Sequence, residues 1–281
     1  MPGADAVPPF ALAALTTPEL APPEMVAVAA EAGYSRVGLR LIPVAPGAWA
    51  YPLMHDPAML RETLARISAT GVTVGDLEIV MLRPDTEVSD FLPLLETGAR
   101  LGARHVLVAG YDPEEGRLTE AYAAFCDAAA PFGLTADLEF MPWTAVPSLA
   151  AAIRVVGAAA RPNGGVLVDP LHFSRSGSTL AELGGLRREW LHYWQLCDAP
   201  VREGYTTEEL LHAARAERLF PGEGEIDLAS LVRAMPASLP VSLEIPRTEL
   251  ARTVGAGERA RRAMACAREV IARARAGADA A

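Results

Sequence analysis

Lysine is missing from this chain of 281 residues, so all 25 of its basic residues are arginine. Schiff-base catalysis, pyridoxal-phosphate chemistry and nucleotide binding through a P-loop each need a lysine amine, and the sequence therefore excludes them. The 35 acidic residues outnumber the arginines and give a formal net charge of −10. This balance argues against nucleic acid and against an anionic membrane surface as partners.

Cysteine and long apolar runs are also scarce. Cys126, Cys197 and Cys266 lie far apart and form no C-x-x-C pair, which argues against structural zinc and a disulfide framework. Residues 1–9 lack the basic and apolar regions of a signal peptide. No uninterrupted run of about 18 apolar residues is present, so the sequence predicts no transmembrane helix. We therefore expect a cytoplasmic protein without a membrane partner.

The sequence instead alternates short apolar runs with amphipathic stretches of helical period. The predicted strands cover residues 10–15, 36–42, 72–82, 105–109, 134–140, 165–169, 191–196 and 241–245. The predicted helices cover residues 22–31, 57–70, 88–101, 118–130, 146–160, 180–187, 228–235 and 257–275. The long connection at 198–225 either acts as a lid or contains an extra helix at 206–215.

Eight strand-then-helix units in about 250 residues are typical of a (β/α)8 TIM barrel, an α/β fold with a parallel sheet. A doubly wound open sheet is the alternative, but its G-x-G-x-x-G phosphate loop is absent from the sequence. No linker interrupts the alternation. We predict one domain over residues 8–275, with flexible tails at 1–7 and 276–281.

Four polar side chains stand near the ends of four consecutive predicted strands: Glu139, Asp169, Gln195 and Glu244. The active site of such a barrel lies at the carboxyl ends of its strands, so we expect these side chains to converge. Buried carboxylates need a counter-charge or a metal, although each residue alone is equally well explained by solvation or a salt bridge. Oxygen donors favour Mn²⁺ or Mg²⁺, and a nitrogen from His172 would shift the choice towards Mn²⁺, Co²⁺ or Zn²⁺. We favour Mn²⁺.

Several segments in the second half of the chain resemble one known family. They are Glu139, D-P-L-H at 169–172, Q-L-C-D at 195–198, P-G-E-G-E-I-D at 221–227 and L-E at 243–244. Together they resemble the xylose isomerase-like TIM-barrel superfamily, and within it the sugar phosphate isomerase/epimerase branch. That branch also holds ketose 3-epimerases, inosose dehydratases, 3-dehydroshikimate dehydratases and endonuclease IV. The first half of the chain adds little besides strand periodicity.

The resemblance implies one divalent metal ion with four ligands: Glu139, Asp169, Gln195 and Glu244. It also implies that His172 contacts substrate or metal, and that an arginine after the seventh strand, for which Arg202 is the nearest candidate, holds a substrate oxygen. The chain departs from the epimerases at Gln195, where they usually have histidine, and at 140–145, which lack their further glutamate. Endonuclease IV fits badly, because its three-metal site needs more than the 5 histidines present.

Four further residues are weaker candidates, each with a plain structural explanation. Arg175 would reach a carboxylate or phosphate of the substrate, or else bridge groups at the surface. Trp143 would form an apolar wall against a sugar ring, or else pack in the core. Arg40 and Glu78 stand near the ends of the second and third strands, where they line the mouth of the barrel or form a salt bridge.

The predicted chemistry is isomerisation or epimerisation of a keto-sugar or related polyol through an enediolate intermediate. Glu139 and Glu244 would act on opposite faces of the substrate, one removing a proton and the other returning one. If His172 instead protonates a β-hydroxyl, the same intermediate loses water, and the enzyme is a dehydratase of a cyclic keto-polyol such as 3-dehydroshikimate or an inosose. A non-catalytic barrel, or a subunit completed by a partner chain, is the further alternative. The charged residues 252–275 suit a contact in a homo-oligomer or simple solvation.

Overall fold

Parallel strands form a barrel at the centre of the fold. A computed structural model describes residues 7–45 and 47–277. The strands in these residues are β1 Phe10–Leu12, β2 Arg36–Arg40, β3 Thr73–Leu82, β4 His105–Gly110, β5 Thr135–Glu139, β6 Gly164–Leu167, β7 Trp194–Leu196 and β8 Val241–Leu243. Neighbouring strands pair in parallel in the order β6-β5-β4-β3-β2-β1-β8-β7. Between β7 and β6, the amide of Gln195 donates to the carbonyl of Val168 at 3.0 Å, which completes the ring.

Helices cover the outside of the barrel. Those in the described residues are α1 Pro22–Glu31, α2 Pro57–Thr70, α3 Leu92–Leu101, α4 Glu115–Ala129, α5 Leu149–Ala159, α6 Pro170–Arg175, α7 Leu180–Gly184, α8 Thr207–Arg215, α9 Leu228–Ala234, α10 Thr248–Ala251 and α11 Ala256–Ala276. The alternation confirms the predicted single-domain (β/α)8 barrel and removes the open-sheet alternative. None of the helices in the part of the chain that is described is long and apolar enough to cross a bilayer.

The bounds of α2 agree with the prediction because both of its ends carry strong local signals. At the amino end, the carboxylate of Asp56 accepts hydrogen bonds from the amides of Ala58 and Met59 at 2.9 and 3.0 Å. At the other end, Gly71 adopts a φ of 75°, a left-handed conformation that glycine takes without steric cost. These are standard helix start and stop signals, and they can be read from sequence.

The structure differs from the prediction in a few elements. The predicted helix at 88–101 is a 3₁₀ turn, Val88–Phe91, followed by α3, because Pro93 favours a helix start there. The short helices α6 and α10 were not expected. The segment 206–215 is a helix, α8, capped by the Thr206 side chain. Of the predicted tails, residues 1–6 and 278–281 lie outside the described residues.

The main apolar core lies between the outer face of the strands and the helices. A second, smaller cluster inside the barrel includes Ile79, Met81, Leu107 and Met141. This inner cluster lies below the carboxyl ends of the strands and forms part of the wall of a cavity. The barrel is therefore filled by side chains, and its polar chemistry is confined to its two ends.

A polar cluster occupies the amino-terminal end of the barrel, opposite the predicted active site. Asp137 is fully buried, and its two carboxylate oxygens accept hydrogen bonds from His192 Nδ1 and Thr135 Oγ1, both at 2.6 Å. The ring of His105 stacks on Tyr193 with centroids 4.9 Å apart. Gly165 passes so close to this cluster that a Cβ there would meet Asp137 Oδ1 at 2.5 Å.

Candidate active site

The segment D-P-L-H at 169–172 forms the first turn of α6, immediately after β6. Asp169 is the N-cap, and its Oδ1 accepts a hydrogen bond from the amide of Leu171 at 2.7 Å. Pro170 takes the first helical position, where its missing amide costs nothing. This turn places the His172 ring against the end of β5, where its Nε2 lies 3.7 Å from Glu139 Oε1. The D-x-x-H spacing is therefore explained by one helical turn that brings both side chains to the barrel mouth.

Three potential metal-binding side chains converge at this point. One donor atom from each of Glu139, Asp169 and His172 lies within 4.8 Å of the other two, and all three residues are buried. The structure thus brings together two of the four predicted ligands and adds His172. Among the described residues, Glu139 Oε1 has no hydrogen-bond partner, so this buried acceptor retains an unused lone pair.

Arg218, which was not among the predicted site residues, occupies the centre of the site. Its Nη1 lies 2.5 Å from Asp169 Oδ2, and its Nη2 lies 2.6 Å from Glu244 Oε2. The side chain is 2% exposed, so the two ion pairs are shielded from solvent. The Arg218 amide donates to the carbonyl of Pro246 at 2.8 Å, which directs this residue inward from the loop before the P-G-E-G-E-I-D segment.

The loop that carries Arg218 is organised by one buried carboxylate, that of Asp198. Its oxygens accept hydrogen bonds from the amides of Gly222, Gly224 and Ile226 at 2.9 to 3.2 Å, and from the amide of Ala199 at 2.8 Å. The residues of the P-G-E-G-E-I-D segment therefore wrap around a single anion. This explains the glycines of the segment, because a Cβ at Gly224 would lie 2.4 Å from Asp198 Oδ1.

The three carboxyls of the site differ in pKa. Burial and the charges of Glu244 and Asp169 hold the pKa of Glu139 well above its usual range. Burial also raises the pKa of Glu244, to about 7, although Arg218 opposes this shift. Burial would raise the pKa of Asp169 too, but Arg218, His172 and the amide of Leu171 together outweigh burial and lower that pKa. Arg218 thus keeps Asp169 ionised and leaves negative charge at Glu139 and Glu244 incompletely balanced.

His172 is a neutral ligand or hydrogen-bonding group and not a cation. Burial lowers its pKa to about 4, against the attraction of Asp169. Its contact with Glu139 at 3.7 Å is therefore not an ion pair near pH 7. The indole of Trp143 lies edge-on to the imidazole with centroids 5.1 Å apart, and this packing fixes the ring plane.

The site opens into a cavity of about 170 Å³ at the carboxyl end of the barrel. Glu139, His172, Arg218 and Glu244 line one part of it, and Trp143 forms part of its apolar wall. Arg40 and Glu78, expected either to line the mouth or to form a salt bridge, do both: Arg40 Nη2 lies 2.8 Å from Glu78 Oε2. The mouth of the barrel is therefore a partly open cavity, with charged groups set in a largely apolar wall, of a size suited to a small molecule.

Four predicted site residues do not line this cavity. Asp169 is fully buried, with its carboxylate paired to Arg218, which does line the cavity. Gln195 is buried on β7, and its Oε1 has no partner within the described part of the chain. Arg175 is half-buried and lies over the ring of Tyr205 at 4.2 Å. The prediction that Arg202 holds a substrate oxygen gains no support, because its exposed side chain pairs with Glu209, whereas Arg40, Arg215 and Arg218 line the cavity.

The charges of the site suit a divalent cation. Four buried carboxylates, those of Glu78, Glu139, Asp169 and Glu244, face the guanidiniums of Arg40 and Arg218. If all are ionised, two negative charges remain, which one divalent ion would balance. The carboxylate oxygens and the imidazole nitrogen of the converging group are suitable donors for Mn²⁺ and Zn²⁺. The residues present therefore fit a divalent metal held by Glu139, Asp169 and His172.

Comparisons with known proteins agree with this fold. The family model for xylose isomerase-like TIM barrels matches residues 26–270. An inosose isomerase from Bacillus velezensis is 29% identical over 178 residues, which are 58% of this chain and 60% of that protein's length. The crystal structure of the IOLI protein with a bound zinc atom has a TM-score of 0.78 at 20% identity, covering 94% of this chain and 98% of that one. The probable 3-DHS dehydratase AsbF from Bacillus anthracis has a TM-score of 0.71 at 13% identity, covering 92% and 97%.

Fold and site define a TIM barrel with a buried acidic cluster at the carboxyl ends of its strands. Since the family model covers most of the chain, the protein belongs to the xylose isomerase-like TIM-barrel family. Its curated relatives are named inosose isomerases, and the chain matches about 60% of their length.

Proposed function

We propose that the protein is a divalent-cation-dependent isomerase or epimerase of a keto-sugar or a keto-polyol ring. The observation that carries the proposal is the convergence of donor atoms from Glu139, Asp169 and His172, of which Glu139 and His172 line the cavity. The inosose isomerase relatives favour a polyol ring as substrate, and the zinc in the IOLI structure favours a bound divalent cation. We favour Mn²⁺ because the donors are mostly carboxylate oxygens. Gln195 and Glu244 remain proposed as further ligands.

A cation at this site would polarise a substrate carbonyl and its neighbouring hydroxyl, and so stabilise an enediolate. Glu244, with a pKa of about 7, is suited to remove the proton from the carbon next to the carbonyl. The electron pair of that C–H bond forms the new C=C bond, and the carbonyl oxygen takes the negative charge. If Glu244 returns the proton to the former carbonyl carbon, and the proton of the neighbouring hydroxyl passes to the former carbonyl oxygen, the carbonyl moves by one carbon and the substrate is isomerised. If Glu139 delivers a proton to the opposite face, the substrate is epimerised.

The remaining residues of the cavity hold the substrate. The uncharged imidazole of His172 forms a hydrogen bond to a substrate hydroxyl, and Trp143 presents an apolar face to the carbon skeleton. Arg218 orients Glu244 through their contact at 2.6 Å. It also donates to a substrate oxygen from its place in the cavity lining, the role predicted for Arg202.

The dehydratase alternative shares every step up to the enediolate and then needs an acid for the departing hydroxyl. His172 is the predicted acid, but its pKa of about 4 leaves little imidazolium near pH 7. This favours the isomerase. A non-catalytic barrel does not account for a buried carboxyl with a pKa of about 7 in a cavity.

Proton exchange with solvent tests the proposal directly. Protein loaded with Mn²⁺ is incubated in D₂O with an inosose, a panel of ketoses and 3-dehydroshikimate, and products are followed by NMR. We expect deuterium next to the carbonyl of a ketose or inosose, and an isomeric product, with wild type. Glu244→Gln should abolish both, whereas the exposed control Glu115→Gln should retain them. No exchange with any substrate, or release of water from 3-dehydroshikimate alone, would contradict the proposed function.

A further inference from the structure

A second polar pair lies in the same cavity and takes no part in the proton transfers. Arg40 ends β2 and Glu78 lies on β3, on the other side of the barrel from β6 and β7. Both side chains are nine-tenths or more buried, and their guanidinium and carboxylate are 2.8 Å apart. The Arg40 guanidinium also lies over the Trp49 ring at 4.8 Å. The pair is therefore held in place on two sides.

Each member of this pair has one buried polar atom that the protein leaves without a partner. In the residues that the structure describes, Glu78 Oε1 accepts no hydrogen bond and Arg40 Nε donates none. Leaving such atoms unpaired costs free energy, and unpaired buried groups at a cavity are typical of ligand sites. One atom is an acceptor and the other is a donor. A hydroxyl group, which both donates and accepts, satisfies this combination, whereas a carboxylate has no proton to donate to Glu78.

We propose that the Arg40–Glu78 pair binds a hydroxyl at the end of the substrate remote from the reacting carbons, and so selects uncharged polyols over carboxylated rings. This inference takes the position of the reacting carbons from the proposed function. The binding of the hydroxyl does not depend on that function. Glu78 lines the same small cavity as Glu139 and Glu244, so a single small ring bound there would lie between the pair and the reacting groups. An anionic substrate group on this side would be repelled by Glu78 Oε1.

Binding of unreactive polyols tests this without relying on turnover. Calorimetry would compare myo-inositol, each of its monodeoxy analogues and shikimate as ligands of the Mn²⁺-loaded protein. We expect wild type to bind myo-inositol about 100-fold more tightly than one particular monodeoxy analogue, and shikimate more weakly still. In Glu78→Met that ratio should fall below about 5-fold, and Glu78→Gln should recover part of it because an amide oxygen still accepts.

Asp76→Asn is the matched control, since Asp76 is also buried on β3, two residues away on the same face, but does not line the cavity. It should keep the wild-type ratio. The inference would be overturned if Glu78→Met kept the wild-type affinity ratio, or if Asp76→Asn lost as much of it as Glu78→Met. It would also be overturned if wild type bound shikimate more tightly than myo-inositol, or bound no polyol. Polyol binding with this pattern but without proton exchange in D₂O would sink the proposed function and leave the inference standing.

Discussion

Arg218 Nη1 lies 2.5 Å from Asp169 Oδ2 in the interior of the barrel. The same guanidinium reaches Glu244, so one arginine joins the carboxylates of β6 and β8 across β7. Two buried carboxylates share one cation, and these ion pairs hold both side chains in place. Arg218 is therefore as much a part of the site as the predicted ligands.

Removing the Arg218 guanidinium should destabilise the fold strongly. Arg218→Met leaves two buried carboxylates without their counter-charge, and we expect a loss of about 3–5 kcal/mol in the free energy of unfolding, measured with urea. Added Mn²⁺ should recover part of the lost stability by binding the carboxylates that have lost their counter-charge. Arg215→Met, an exposed neighbour on α8, should change stability by less than about 0.5 kcal/mol. Equal stability of the two variants would contradict the importance of the buried pairs.

The carboxylate of Asp198 should be needed for the loop that carries Arg218. In Asp198→Asn, an amide group replaces one acceptor oxygen and its own protons face backbone amides. We expect a loss of about 1–3 kcal/mol in the free energy of unfolding. Asp127→Asn removes an exposed carboxylate that pairs with Arg161, and it should have little effect. A loop that stays protected from proteolysis in Asp198→Asn would count against this interpretation.

The polar cluster at the amino end of the barrel should make stability depend on pH. Burial alone would lower the pKa of His192, but the hydrogen bond and charge of Asp137 outweigh it and raise this pKa. The stabilisation is thus complete below the unfolded pKa of about 6.5 and is lost as pH rises through the folded value. His105 is common to wild type and His192→Gln, so its own titration cancels. The difference in unfolding free energy between these two proteins should shrink from pH 6 to pH 9, and a constant difference would refute the ion pair.

Gly165 is expected to tolerate no side chain. A Cβ there would lie 2.5 Å from both Asp137 Oδ1 and His192 Nδ1, so one of these groups must move. Gly165→Ala should lower the free energy of unfolding by about 1–3 kcal/mol. Gly184→Ala is the matched control. Apart from its chain neighbours and the backbone of its own helix, no atom lies within 4 Å of the new methyl group. Thermal melts of the two variants would measure the effect, and similar melting temperatures would contradict it.

Much of the fold could be predicted because its signals are local. Apolar period, an Asp N-cap and a left-handed glycine define α2 to the residue, and eight such units leave few alternatives to a barrel. The split of the helix at 88–101 and the short helix α10 escaped notice because neither carries a long periodic pattern. Glu139, Asp169 and His172 were identified for the same kind of reason, since they follow recognisable strands.

Arg218 could not be found in this way. It follows Glu217 in a charged stretch after α8, where an arginine is normally exposed, and its inward direction comes from a backbone hydrogen bond to Pro246. Its partners are 49 and 26 residues away in sequence. Arg202, the nearest arginine after the seventh strand, was the candidate that the family resemblance implied. The hydrogen bonds of Asp198 shape the loop next to Arg218, and such contacts between distant residues cannot be read from the sequence.

The central claim is that the site binds one divalent cation. Two measurements test this claim: elemental analysis of the purified protein, and calorimetric titration of Mn²⁺ into the metal-stripped protein. Both compare wild type with Glu139→Gln and with the surface control Glu115→Gln. We expect one bound ion per chain in wild type and in the control Glu115→Gln, and no bound ion in Glu139→Gln. Wild type that contains no metal and gives no heat or thermal stabilisation with added Mn²⁺, Zn²⁺, Co²⁺ or Mg²⁺ would contradict it.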